Sequence, residues 1–168
     1  EWIAPDLKGF EGHGPVRIGN AAVDQVQHDA YGSVILAATP MFFDKRLPLP
    51  GDEGLFHLLE KMAGQCAALA LEPDAGIWEY RGRKRIHTHS GAMCWAGLSR
   101  TAAIAARLGF MDRAAHWHTL SDTIGEELLQ RVWNDKRQAF AAAEGVDDMD
   151  ASVLLLPDLG LVEPHDPR

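Results

Sequence analysis

Apolar positions recur at helical spacing in four stretches of the chain. Val23, Val26, Ala30 and Val34 lie three and four residues apart, which predicts a helix from Ala21, capped by Asn20 and stopped at Pro40. Leu55, Leu58, Met62, Cys66 and Leu69 mark a second helix that Asp52 caps and that ends near residue 71. A third, over about 91–108, carries Trp95, Leu98, Ala102, Ala105 and Leu108 on one face, with Gly109 placed to end it in a left-handed turn. A fourth, over about 111–133, carries Trp117, Leu120, Ile124 and Leu128. "DASVLLLP" (150–157) predicts one or two turns of buried helix between an Asp150 cap and Pro157. Residues 1–20, rich in Gly and Pro, predict loop with a short strand at Val16–Ile18, and "WNDKRQAFAAAEG" predicts a turn with a short extended piece.

This pattern is all-α, with helices alternating with loops. One loop stands out, running from Pro73 to about Ser90 through "GIWEYRGRKRIHTHS". Connections of that length within a compact domain are usually functional or disordered, and this one is too rich in aromatic and apolar residues for disorder.

Composition narrows the partners. A chain of 168 residues, 46% hydrophobic and 24% charged, is about one domain of ordinary globular kind. The formal charge of −8 argues against nucleic acid, whose phosphates require a basic surface. The longest apolar run, "SVILAATPMFF", is too short and broken to span a bilayer, so no membrane role is expected, and no basic segment leads an apolar one at the start. Cys66 and Cys94 both fall within apolar helical patterns and read as buried free thiols, which fits a cytoplasmic setting.

Glu79 is the candidate of most chemical interest. Flanked by Ile77 and Trp78, its carboxyl is placed for partial desolvation, which favours the neutral acid and suits it to proton donation near neutral pH. The alternative is an exposed Glu paired with Arg81, which would act on its titration in the opposite sense. The basic run Arg81, Arg83, Lys84, Arg85 reads either as an anion site or as a solvated loop face. His87 and His89 share a face if extended, but no Cys or carboxylate accompanies them at ligand spacing, so no metal is expected and their role is hydrogen bonding within the loop or to a ligand. His116 and His118 sit on a predicted helix and point apart. "DDMD" (147–150) reads as a turn plus the cap at Asp150. The chain has no phosphate-binding loop, dinucleotide fingerprint, nucleophile elbow or zinc-protease motif.

Four blocks in this order, "PVRIGNAAVDQVQHDAYGSVI" (15–35), "PDAGIWEYRG" (73–82), "HTHSGAMCWAGLSR" (87–100) and "DASVLLLPDLGLVEPHDPR" (150–168), resemble the catalytic domain of glycoside hydrolase family 15, the family of glucoamylases, glucodextranases and some bacterial trehalases. The resemblance covers nearly the whole chain. It implies part of an (α/α)6 barrel, about four to five of its helices, with residues 1–168 as a single partial domain. It also implies an inverting mechanism in which one carboxyl protonates the leaving oxygen and a second activates water, the two about 6.5–9.5 Å apart. On these blocks Glu79 matches the general acid, and Trp78 matches the adjacent pocket tryptophan, placed to stack on a sugar. Arg81 matches a basic residue that bonds sugar hydroxyls or orients the acid. Asp29 and Tyr31 match a block near the pocket rim, and His87 matches a polar position after the acid. Gly91 and Ser99 depart from the family, which commonly has Lys and Asp there.

The family's general base lies in a later block that no Glu here matches. The resemblance therefore implies a piece of a larger catalytic domain, inactive by itself, with barrel faces exposed for self-association. The activity expected first is glucoamylase-type hydrolysis of terminal α-glucosidic bonds in an oligosaccharide or other α-glucoside, with no cofactor. Trehalase action within the same family is the alternative, followed by a non-catalytic carbohydrate-binding helical domain and by an unrelated helical interaction domain.

Overall fold

The computed structural model describes residues 1–167, apart from the side chain of Ala21, so Arg168 at the end of the fourth block lies outside the described residues. The chain folds as α1 (Asp29–Ala38), α2 (Pro40–Phe43), α3 (Glu53–Leu69), α4 (Thr88–Arg107), α5 (Met111–Val132) and α6 (Leu155–Leu159). Two small antiparallel pairs complete it: β1 (Trp2–Ile3) with β2 (Arg17–Ile18), and β3 (Trp133–Asn134) with β4 (Ala139–Phe140). This is the all-α class expected.

α4 is the axis of the assembly. It packs against α1, α3, α5 and α6, and is buried nearly all round, from Thr88 and His89 through Leu98 to Ile104 and Ala105. A helix with no polar face lies inside its domain. Small residues let its neighbours come close. A Cβ at Gly32 of α1 would lie 2.0 Å from the Met93 carbonyl oxygen, and Gly97 of α4 faces the Gly32 Cα from the other side. Gly91 is equally confined, since a Cβ there would stand 2.7 Å from a Leu128 methyl and 3.1 Å from the Ala70 carbonyl oxygen. The departure from Lys at this position thus falls where α3, α4 and α5 leave no room for a side chain. One apolar cluster joins α1, α3, α4 and α5 through Ile35, Phe56, Leu59, Leu98, Ile104 and Trp117. A second joins α4, α5, β4 and α6 through Ala96, Leu128, Phe140 and Leu156.

Three predicted boundaries shift. The first helix begins at Asp29, not Ala21: Asn20 caps only a 3-10 turn over Ala21–Asp24, and Val23 is 82% exposed. Residues 25–28 are held by tertiary bonds instead, with Ala75 N–H donating to the Val26 carbonyl and His28 N–H to Asp74. Pro40 does not end the helical path but opens α2 at its first turn, where a missing N–H costs nothing. Pro157 likewise sits inside α6, which Gly160 ends in a left-handed turn at φ 84°. The second helix keeps its predicted Asp52 cap, whose carboxylate accepts from Leu55 N–H at 2.8 Å, but its buried face runs through Phe56, Leu59, Ala63 and Cys66. α5 follows its predicted span and face, and Gly109 ends α4 with φ 86° as expected.

Candidate functional site

The N-terminal ends of α1 and α4 lie together, and the long loop folds over them. The loop is closed at its neck by mutual backbone bonds between Asp74 and Arg85 (2.9 and 3.1 Å). Past the neck, the chain pairs with the stretch after β4: Thr88 N–H and Oγ1 donate to the Ala142 and Ala141 carbonyls at 3.1 and 2.6 Å.

Asp74 anchors the arrangement and went unnoticed in the sequence. It is 0% exposed. One carboxylate oxygen accepts from His28 N–H (2.9 Å) and the Ser90 hydroxyl (2.8 Å), and the other accepts from Gly76 N–H (3.1 Å). It therefore ties the start of α1 and the first turn of α4 to the loop. The last of these bonds is a local Asx-type turn, and "DAG" after Pro73 was the available signal. Gly76 is required twice over: its φ is 68°, and a Cβ would meet the His87 ring at 2.8 Å.

Trp78 and Glu79 stand on the tight turn that follows. Glu79 N–H donates to the Gly76 carbonyl and Tyr80 N–H to the Ala75 carbonyl, each at 3.0 Å. Glu79 takes φ 51°, a left-handed conformation that a non-glycine residue holds only where its surroundings over-determine it. Those surroundings are two clamps. From the segment before α1, the Gln25 and Gln27 side-chain amides donate to the Glu79 and Gly76 carbonyls at 2.7 and 3.2 Å. From the far side, Asp150 accepts the Trp78 indole N–H at 2.6 Å. Behind the turn, Tyr80 stacks on His87 with ring centroids 5.7 Å apart, and the Arg83 guanidinium lies 3.7 Å over Tyr80.

Glu79 itself is exposed, and Trp78 is 58% exposed, so the desolvation expected of Glu79 is not supplied by Ile77 and Trp78. Arg81 is also exposed, and no ion pair joins it to Glu79 among the described residues. The basic run divides: Arg83 covers Tyr80, Arg85 is half-buried at the neck, and Arg81 and Lys84 face outward. His87 is buried as the residue before α4, and His89 is buried one residue into that helix, so the two do not share an extended face. Among the described residues no group of three His, Cys, Asp or Glu is arranged to hold a metal. Asp29 opens α1 half-buried, and Tyr31, also half-buried, packs against the first apolar cluster.

Among the described residues, four buried polar atoms at this end of the fold have no hydrogen-bond partner: His28 Nδ1, Asp29 Oδ1, His87 Nε2 and His89 Nδ1. Burial pushes the His87 and His89 imidazoles below the usual histidine range. At His87 the nearby Arg85 and Arg83 add to this and Asp74 opposes it, and at His89 the carboxylates of Asp29, Asp150 and Asp74 oppose it. Burial raises Asp150, but hydrogen bonds from Ser152 and Trp78 and the nearby His89 outweigh it, so its carboxyl is held below the usual range. The Cys66 and Cys94 thiols lie buried together in the core, and the contact with Cys66, then burial, pushes Cys94 up, away from thiolate chemistry.

Relatives of known name bear on this arrangement. The chain is 37% identical over 162 residues to a trehalase of Mycobacterium tuberculosis, covering 96% of this chain and 23% of that protein. It is 32% identical over 163 residues to a trehalase of Thermoplasma acidophilum (97% and 28%), and 34% identical over 162 residues to a trehalase of Mycolicibacterium smegmatis (96% and 24%). The chain thus spans about a quarter of the length of these relatives. No solved structure matches it significantly. Among the described residues, no helix is long and apolar enough to cross a membrane. The family model described as glycosyl hydrolases family 15 matches residues 4–168, and the chain belongs to that family as part of its (α/α)6 barrel.

Proposed function

We propose that the whole protein hydrolyses α,α-trehalose with inversion, and that Glu79 is its general acid. The observation that carries this is the clamped turn presenting Trp78 and Glu79 together at the open end of the helices, in a chain whose quoted relatives are named trehalase. Those names favour trehalose over the glucoamylase-type action expected first from the sequence.

The Glu79 carboxyl gives its proton to the bridging oxygen as the bond from that oxygen to C1 breaks, with the electron pair going to oxygen. A water attacks C1 from the opposite face and loses its proton to a second carboxylate, which we assign to residues beyond these. Trp78 stacks on the sugar, and Arg81 bonds its hydroxyls or orients Glu79. Asp29 and His87, at the starts of α1 and α4, are assigned to the polar wall of the sugar site, as the resemblance implies. Glu79 is exposed over these residues, so the low-dielectric cover a neutral-pH acid needs comes from the rest of the polypeptide. Exposed apolar side chains such as Leu154 and Phe10 support contacts with that remainder or, in the isolated chain, with a second copy. The two free thiols support a reducing, cytoplasmic setting.

Proton NMR of trehalose hydrolysis tests the assignment. One new β-glucose for each α-glucose, with the rate lost in Glu79→Gln, is expected. Retention of configuration, or a rate indifferent to Glu79→Gln, overturns it. Maltotriose run in parallel separates glucoamylase-type action from trehalase action.

A further inference from the structure

The bond between Trp78 and Asp150, one of the two clamps on the turn, joins residues 72 positions apart. Asp150 reads from sequence as a helix cap, and it is one: its Oδ1 accepts from Ser152 N–H at 2.7 Å. The same carboxylate has a second occupation. Its Oδ2 accepts the Trp78 indole N–H at 2.6 Å. An ionised acceptor makes this a charge-assisted bond, stronger than a neutral one. Asp150 cannot swing freely to follow Trp78, because its other oxygen is fixed by the cap.

We infer that Asp150 is a positioning residue, which aims the Glu79 carboxyl by fixing the Trp78 indole. The inference rests on Glu79 being the general acid. The geometry behind it is local. Trp78 and Glu79 are adjacent on a turn closed by bonds to the Ala75 and Gly76 carbonyls. Gln25 and Gln27 hold only the backbone of that turn. Asp150 hydrogen-bonds the side chain on the residue before Glu79, while the Tyr80 ring after it is held by stacking on His87 and under Arg83. Releasing the indole frees the turn to rotate about its backbone clamp, and a displacement of about 1 Å at a reacting group costs on the order of 100-fold in rate.

Two substrates separate aiming of the acid from plain support of the fold. Trehalose needs a proton on its leaving oxygen, whereas the fluoride of α-D-glucosyl fluoride departs without one. Asp150→Asn keeps one oxygen for the cap and turns an NH2 donor toward the indole N–H, breaking the bond with little change of shape. In the whole protein this variant is expected to lower kcat for trehalose by about 10- to 100-fold, with kcat for α-D-glucosyl fluoride within threefold of wild type. Trp78→Phe removes the indole N–H from the other side but also alters the stacking face, so it serves only in the cycle on trehalose, where adding Asp150→Asn to Trp78→Phe is expected to cost no further kcat. Equal losses on both substrates, or no loss, overturn the inference and leave Asp150 a cap alone. Glu79→Gln is the reference: if it lacks this selectivity, Glu79 is not the acid and the role of Asp150 falls with it. If Glu79→Gln is selective and Asp150→Asn is not, only the positioning role is lost.

Discussion

Replacing Asp74 by alanine strips partners from three donors at once: the backbone N–H groups of His28 and Gly76 and the Ser90 hydroxyl. The hydroxyl can rotate toward another acceptor, but the two amides are fixed. Leaving a buried donor unsatisfied costs about 1–3 kcal/mol, so two of them cost about 2–6 kcal/mol. That is a large share of the total stability of a typical domain, about 5–15 kcal/mol. Asp74→Asn is the milder comparison. Its single oxygen can serve His28 and Ser90 while its NH2 faces Gly76 N–H, leaving one orphan and about 1–3 kcal/mol. Urea unfolding gives both numbers, with an unchanged slope identifying a pure stability effect. Amide hydrogen exchange locates it, with protection lost first at His28 and Gly76. An Asp74→Ala protein within about 0.5 kcal/mol of wild type, the range of a neutral surface change, would refute the idea that this carboxylate holds the loop to α1 and α4.

Acid destabilises the protein through His87 and His89. Their folded-state titration lies below the unfolded value of about 6.5, so the unfolded chain binds more protons between the two and stability falls as pH drops through that window. Each contributes a slope of at most about 1.4 kcal/mol per pH unit, and a His87→Gln/His89→Gln variant followed by urea unfolding from pH 7 to 5 should lose that slope. Gly32→Ala pushes a methyl to 2.0 Å from the Met93 carbonyl oxygen, a backbone atom that cannot step aside. A loss of at least about 1–3 kcal/mol is expected, and a melting temperature unchanged by Gly32→Ala would mean α1 and α4 do not cross this closely.

Periodicity located α3, α4 and α5 because each is long enough for its apolar stripe to repeat several times. It failed at residues 21–28, where Val23 and Val26 keep helical spacing but carbonyl and amide groups are claimed by Ala75 and Asp74, partners some 46 to 49 residues away. On α3 the stripe was read one residue out of step, since Leu58 is exposed while Phe56 and Leu59 are buried. The candidate chemistry was legible in part. Trp78, Glu79 and His87 were singled out because they crowd one loop. Asp74 and the second bond of Asp150 were not, because a carboxylate in a turn pattern looks the same whether it closes that turn alone or also reaches across the fold.

The closed neck of the loop also decides where the chain can change length. Asp74 and Arg85 bond to each other on both edges, and the Trp78–Glu79 turn is held by Gln25, Gln27 and Asp150, none of which lies between Arg81 and Lys84. Within that exposed stretch Arg83 still touches the turn through Tyr80, and Lys84 lies beyond that contact. An epitope inserted after Lys84, or a fluorescent label on it, hangs from the neck and leaves Arg81 and the Arg83–Tyr80 contact in place, which makes it a natural handle for immobilising or tracking the protein.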